Sequence, residues 1–249
     1  MDITKESKRE RDERKSRQRS IRKSLGIIVF LALIIALIFG LVWVSSRSDG
    51  GAGNLGKVAP ITEGDHVKGA TTSPKLVLVE YSDFQCPACA GYEPTVRKLV
   101  STYADRGLVL VYRHFPLAQH NKATLAAKVT EAASTQGKFW EMHDLIFDNQ
   151  EKWAVMTLSD ATDLFTDYAK TLNLDLVKFV ADIEAKATID KIQSDLLSGK
   201  QAGVIGTPTF YLNGRYVEAN TDEEFEALFE KELVSIQATS SSVTTTFTQ

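Results

Sequence analysis

The chain contains two cysteines, Cys86 and Cys89, and they stand three positions apart in the tetrapeptide C-P-A-C. Such a pair can do two kinds of chemistry: its sulfurs can close into a disulfide and reopen by thiolate exchange, or they can supply half of a zinc site. The zinc reading asks for about two further ligands. The four histidines, His66, His114, His120 and His143, show no H-x-x-x-H companion spacing, so a metal role would need a second protein or a second copy. A structural staple is a poor third use, because so short a closed loop lies near the bottom of the ~0–5 kcal/mol that cross-links contribute. The expected cofactor set is therefore none beyond the redox-active Cys86/Cys89 pair itself, with no resident metal.

Exchange chemistry requires elements that hold both sulfurs on one side and activate one of them. Pro87 suits the first position of a helix, where a missing N–H costs nothing, and Ala90 to Val100 continues with apolar residues at helical intervals. On a helix, positions i and i+3 are neighbours, so both sulfurs face the same way. Cys86 would then sit over the unpaired N–H groups and positive dipole end of that helix, which favour thiolate. Ahead of the pair, the near-continuous apolar run K-L-V-L-V-E-Y from Lys75 to Tyr81 reads as a strand covered on both faces. Behind the helix, Gly107 precedes a second such strand, Leu108 to Arg113, giving a right-handed β-α-β unit with a parallel pair.

From about Leu117 to Lys200 the apolar spacing is helical, as in Phe139, Trp140, His143 and Phe147, or Leu164, Phe165, Tyr168 and Leu172. Two short strands then flank Asn213-Gly214, a strong hairpin signal because both turn positions need positive φ. Thr221 and Glu224 form a capping box for a last helix carrying Phe225, Leu228, Phe229 and Leu233 on one face. The order β-α-β, helical block, β-β-α defines the fold class: an α/β thioredoxin fold with an inserted helical domain at about 117–200.

Charge and hydropathy divide the rest of the 249 residues. Residues 1–24 hold ten Lys/Arg against five Asp/Glu, leaving +5 there and −8 for the remainder, which makes the bulk of the chain a poor nucleic-acid binder. Residues 25–44 lack any charge and are long enough to cross the ~30 Å hydrocarbon layer as one transmembrane helix. The cationic flank before it predicts a cytoplasmic N-terminus and an extracytoplasmic remainder, a single-pass membrane anchor. A cleaved signal peptide is the rival, but the apolar core exceeds the usual ~7–15 residues and no A-x-A site follows. Residues 45–60 read as a flexible Gly/Ser linker, 61–237 as the folded domain, and 238–249 as a disordered Ser/Thr-rich tail.

The segments V-E-Y-S-D-F-Q-C-P-A-C (Val79–Cys89), R-H-F-P-L (Arg113–Leu117), Q-G-K-F-W-E-M-H (Gln136–His143) and G-T-P-T-F (Gly206–Phe210), taken together, resemble the DsbA-like thiol:disulfide oxidoreductases over roughly Ile61 to Glu232. In plain thioredoxins the two motifs lie much closer; here 119 residues separate Cys89 from Pro208, and the helical block accounts for the excess. The resemblance implies that Thr207-Pro208 is a cis peptide beside the cysteines, presenting backbone groups to substrate. It also implies that Glu80 is a buried acid beneath the site that moves the proton of Cys89, the alternative being a carboxylate at a solvated strand end. His120 and Trp140 are assigned to capping or packing of the insertion.

Direction of electron flow stays open between oxidase, reductase and isomerase, with a redox-silent peptide- or metal-binding module as a different class. Pro-Ala between the cysteines lacks the histidine of the most oxidising members, placing the potential inside the ~150 mV spread from DsbA to thioredoxin. A monomeric dithiol oxidase is the first choice, with exported unfolded proteins as substrates and a membrane quinone-linked thiol oxidase as reoxidant.

Overall fold

A computed structural model describes residues 58–244. The basic segment 1–24, the anchor at 25–44 and most of the linker therefore lie outside the described residues. Among the described residues, no helix is long and apolar enough to cross a membrane.

The two apolar runs form the paired centre of the sheet. β1 (His66–Gly69) precedes β2 (Leu76–Ser82); α1 (Pro87–Tyr103) then connects to β3 (Leu108–His114). β2 and β3 run parallel, with Leu76 opposite Leu108 and Ser82 opposite His114. The helical block follows as α2 (Ala123–Ser134), α3 (Phe139–Asp148), α4 (Gln150–Ala154), α5 (Leu158–Thr171), α6 (Leu176–Ile183) and α7 (Lys186–Ala202). β4 (Thr209–Leu212), β5 (Arg215–Val217) and α8 (Asp222–Thr244) complete the chain. The strand order is β1-β3-β2-β4-β5, with every pairing except β2–β3 antiparallel.

Because β2 and β3 are central, side chains from both faces must be buried. One face packs Leu78, Leu110 and Phe210 against Val96 and Leu99 of α1 and Phe225 and Phe229 of α8. The other packs Val79, Tyr81, Val111 and Tyr211 beneath α7 and the segment after it, through Ala202 and Val204. Gly199 lets α7 approach that face, since a Cβ there would stand 2.6 Å from the Phe115 ring. The insertion has its own core around Met142, Ile146, Trp153, Phe165 and Phe179, and that core reaches Phe84, Cys86 and Cys89. The redox pair thus sits on the seam between insertion and sheet.

Turn and cap chemistry follows the sequence closely. Asn213 and Gly214 both take positive φ, 49° and 79°. Thr221 Oγ1 accepts the Glu224 N–H, and the Glu224 carboxylate accepts the Asn220 N–H in return.

Three boundaries differ from the sequence reading. β1 was not expected, because H-V-K-G is only four residues long and has no run of β-branched or aromatic types; its pairing partner β3 supplies what its own composition lacks. The linker does not extend to Pro60: Val58 is buried, and Arg113 donates to the Ala59 and Pro60 carbonyls at 3.1 and 2.9 Å. The tail is likewise corrected, since α8 continues to Thr244 through a Ser/Thr stretch that contains neither Gly nor Pro to stop it.

Arg113 is the fastening point of the domain's start. Its guanidinium also grips Asp65 at 2.8 and 3.0 Å and donates to the Tyr81 hydroxyl at 3.1 Å, and both charged side chains are 3% exposed. Removing one partner of a buried pair strands the other charge, at a cost of about 3–5 kcal/mol. Arg113→Ala is therefore expected to lower the urea midpoint without changing the slope; a midpoint within error of the parent would remove this clasp from the account.

Candidate active site

β2 carries the chain to the site and α1 begins there. Cys86 is the N-cap residue of α1 and Pro87 its first helical residue, and no side-chain oxygen caps the helix. The Cys86 sulfur takes the place where a capping acceptor would stand. The two cysteines are free thiols, Cys86 7% exposed and Cys89 1%. In its protonated form Cys86 donates from Sγ to the Thr207 carbonyl at 3.3 Å, a bond given up on ionisation, and the Thr207–Pro208 peptide is cis. The sulfur pair and the Thr207-Pro208 loop therefore meet, as the resemblance implied, although 121 residues lie between Cys86 and Thr207.

The surroundings treat the two thiols oppositely. The hydrogen bond from Cys89 acts first on Cys86; with the Thr207 side chain and the backbone N–H groups of Cys89 and Ala88, it outweighs burial and brings Cys86 down to about 5. These N–H groups are the unpaired donors of the helix start. Burial pushes Cys89 well above the ordinary thiol value, and the neighbouring Cys86 adds to that. At neutral pH the outer sulfur is thiolate and the inner one keeps its proton.

Glu80 lies on β2 opposite Tyr112 and Phe210, and at 2% exposure it is not the solvated strand-end carboxylate. Burial raises it to about 7 against the lowering influence of Ser82. A second acid, Glu93 on α1, is 6% exposed and raised to about 8, by burial first and then by Glu80. The Tyr112 hydroxyl is buried without a partner, and its acidity is depressed by burial and by charge on Glu80 and Cys89, among others.

Sequence reasoning did not single out Glu93 or Tyr112. Glu93 did leave a trace: it occupies the i+4 position after Cys89 on the buried face that continues through Val96 and Val100. An acid on an apolar stripe was the available signal. Tyr112 reads from sequence as ordinary strand core.

The insertion braces the loop before the cysteines. Asp83, 2% exposed, accepts the Gln85 N–H at 2.7 Å through one oxygen, and the Leu117 N–H at 2.8 Å and His120 Nδ1 at 2.7 Å through the other. Its own N–H points to Cys89 Sγ at 3.5 Å. Gln150 of α4 donates from one amide nitrogen to the Phe84 and Cys86 carbonyls at 2.7 and 2.8 Å. His120 thus acts on the active-site loop through Asp83. Trp140 has the packing role expected of it, donating to the Val67 carbonyl at 3.0 Å and meeting Phe139 edge to face. Beside Pro87, Ala90 and Gly91, between α1 and the α3–α4 corner, opens a cleft of about 930 Å³ that includes Phe147 and Val155.

Comparison with known proteins matches residues 61–231 to a family described as thioredoxin. The chain belongs to the thioredoxin family. Within the solved thioredoxin-fold structures, oxidised BdbD of Bacillus subtilis superposes with a TM-score of 0.62 at 21% identity, covering 72% of this chain and 98% of that one. Alpha-DsbA1 of Wolbachia pipientis gives 0.62 at 24%, covering 72% and 96%, and the catalytic domain of Proteus mirabilis ScsC gives 0.58 at 20%, covering 70% and 91%. At these identities the likeness establishes a DsbA-like thioredoxin fold with its helical insertion. Among curated relatives, a Na(+)/H(+) antiporter NhaA 3 of Salinispora tropica is 40% identical over 61% of this chain and 22% of its own length. An NhaA 1 of Mycolicibacterium vanbaalenii is 33% identical over 75% of this chain and 30% of its own. The thioredoxin-family chain therefore spans less than a third of the length of these relatives.

The raised acids have a testable sign. A carboxyl whose folded value is raised contributes stability that is present below its unfolded value and lost as pH rises through the folded one; for Glu80 that loss runs from about 4.5 to about 7. Glu80→Gln is expected to be more stable than the parent at pH 8 and not at pH 4. It should also slow exchange about tenfold or more and erase a rate inflection near pH 7. An unchanged pH–rate profile would take Glu80 out of the proton path.

Proposed function

We propose that this chain is an extracytoplasmic thiol:disulfide oxidoreductase working as a dithiol oxidase on exported, unfolded proteins. The observation that carries this reading is the opposite perturbation of Cys86 and Cys89 across one turn of helix, next to Thr207-Pro208. A stabilised outer thiolate favours the reduced pair, and a pair that favours reduction oxidises its clients.

In the reaction, a client thiolate attacks Cys86 Sγ of the Cys86–Cys89 disulfide. A client–Cys86 bond forms, and Cys89 leaves with the electron pair. Cys89 is basic in its buried setting, so it takes a proton, with Glu80 near 7 as the donor. A second client thiolate then attacks the client sulfur of the mixed disulfide, and Cys86 leaves as the stabilised thiolate. Two electrons have passed from client to protein, and the client carries the new disulfide. The Thr207 and Pro208 backbone would hold the client strand, and the cleft beside Pro87 would receive its apolar side chains. Reoxidation falls to a membrane quinone-linked thiol oxidase. The uncharged stretch 25–44 would tether the domain to the membrane through the linker.

A second reading has one observation in its favour. The curated relatives named above are antiporters, and each shares only a fraction of its length with this chain. On that reading the domain serves a membrane transporter, acting on the transporter's own thiols or disulfides.

Alkylation trapping in intact cells distinguishes direction: an oxidase is recovered mostly with Cys86 and Cys89 joined, a reductase or isomerase mostly as dithiol. Cys89→Ala should accumulate mixed disulfides through Cys86 with many exported proteins. Capture of a single membrane transporter alone would favour the second reading, and recovery of the wild-type pair as dithiol would contradict the oxidase.

A further inference from the structure

Away from the cysteines, three side chains from three elements converge. His66 of β1 and His114 at the end of β3 direct their Nε2 atoms to one oxygen of Glu131 on α2, at 2.6 and 2.7 Å. The three donor atoms lie within 4.8 Å of one another. The side chains are 12%, 1% and 9% exposed in that order, so the cluster is largely enclosed. The His66 ring is fixed by stacking on Phe139, centroids 3.4 Å apart and planes 11° from parallel.

We propose that His66, His114 and Glu131 bind one divalent ion of the zinc class, with water in the fourth position. Two imidazoles and a carboxylate are a donor set that suits zinc and similar nitrogen-seeking ions and disfavours magnesium and calcium, which take oxygen. At metal–ligand lengths of about 2.0–2.2 Å, tetrahedral ligands stand roughly 3.3 Å apart. Each Nε2 would therefore move away from the Glu131 oxygen by roughly 0.6–0.7 Å from its present 2.6 or 2.7 Å.

The donors already converge: both imidazole Nε2 atoms point at one Glu131 oxygen. An ion would take the place of these hydrogen bonds, accepting a lone pair from each Nε2 and from the shared Glu131 oxygen, with each ring then carrying a proton on Nδ1. His114 Nδ1 is buried without a partner, and with an ion on Nε2 it would carry the ring proton as an unsatisfied donor, a cost that binding has to exceed. Lys191, a cation that acts on His66, is engaged by Asp195 at 2.7 Å and by Asp65 at 3.5 Å, and Arg113 is engaged by Asp65.

A second cluster, Glu93, His143 and Asp144, is the obvious rival and is less suited. The Arg97 guanidinium already sits on Glu93 at 3.3 Å and on Asp144 at 3.4 Å, so its carboxylates are occupied by a fixed cation. The favoured cluster ties the sheet-edge strand to β3 and to the insertion. It also stands one ring away from the active-site loop, with His114 and Phe84 centroids 5.9 Å apart.

The test uses the full chain with Cys86→Ser and Cys89→Ser, so that no thiolate can ligate, stripped by chelator and titrated with Zn(II) against a chromophoric competitor. One equivalent should bind and raise Tm. His66→Gln, at the rim, and Glu131→Gln should each weaken binding at least about tenfold, the loss that even an outer contact to a metal site produces, while Asp144→Asn should not. Co(II) in place of Zn(II) should give visible d–d bands of a four- or five-coordinate N/O site, a readout that needs no substitution of the ligands themselves. No binding, binding untouched by both His66→Gln and Glu131→Gln, or binding abolished by Asp144→Asn would each overturn the proposal.

Discussion

The structure depends on one constraint: the first turn of α1 must be delivered, with its N–H groups uncapped by any side-chain oxygen, to a place where the Cys86 sulfur lies beside them. β2 and β3 fix that place because they pair in register from Leu76–Leu108 to Ser82–His114 and are packed on both faces, so a slip would force each side chain into a space shaped for another. Pro87 starts the helix, and the residue before it is left as the cap. The Thr207 carbonyl closes the other side. Once Cys86 is lodged there, Cys89 falls one turn deeper against β2, where water does not reach it. The opposite acidities of the two thiols follow from the Cys89 hydrogen bond and the helix-start N–H groups at Cys86, and from burial at Cys89.

The insertion supplies what a bare thioredoxin sheet would lack at this seam. Asp83 ties the loop before Cys86 to Leu117 and His120 at the entrance of the insertion, and Gln150 ties the Phe84 and Cys86 carbonyls to α4. All of these groups are buried or partly buried, so each broken contact would leave a polar atom without water to replace its partner. The loop is thereby held from the insertion side, while Thr207 holds the sulfur from the sheet side. The cleft beside Pro87 lies between α1 and the same insertion helices, so the groove for a client and the brace for the nucleophile share α4.

Much of this was legible because it was written locally. The apolar runs at Leu76 and Leu108, Pro87 after Cys86, Asn213-Gly214 and Thr221 with Glu224 each describe a strand, helix start, turn or cap within a few residues. The pairing of Cys86 with Thr207-Pro208 was legible only through resemblance, since nothing local joins positions so far apart. Where the outcome rested on partners distant in sequence, local pattern was silent. The four residues of β1 become a strand only against β3, and Val58 enters the core only because Arg113 draws in the carbonyls beside it. Glu93 and Tyr112 matter only because folding stacks them around Glu80 and Cys89. The histidines showed no metal spacing along the chain, yet His66 and His114 meet on one carboxylate because neighbouring strands place them there. At the C-terminus, composition suggested disorder, but a stretch without Gly or Pro carried α8 on to Thr244.

The central claim is that the helix start, together with Cys89, makes Cys86 the acidic sulfur. Ultraviolet titration of thiolate absorbance at 240 nm in the reduced full chain, with the Cys86→Ser variant as reference, tests it most directly. The account predicts a transition with a midpoint near 5 that disappears in the variant, leaving no thiolate transition below the ordinary cysteine range. A wild-type midpoint in the range of an ordinary free cysteine, about 8.5, or an acidic transition that survives the loss of Cys86, would contradict it.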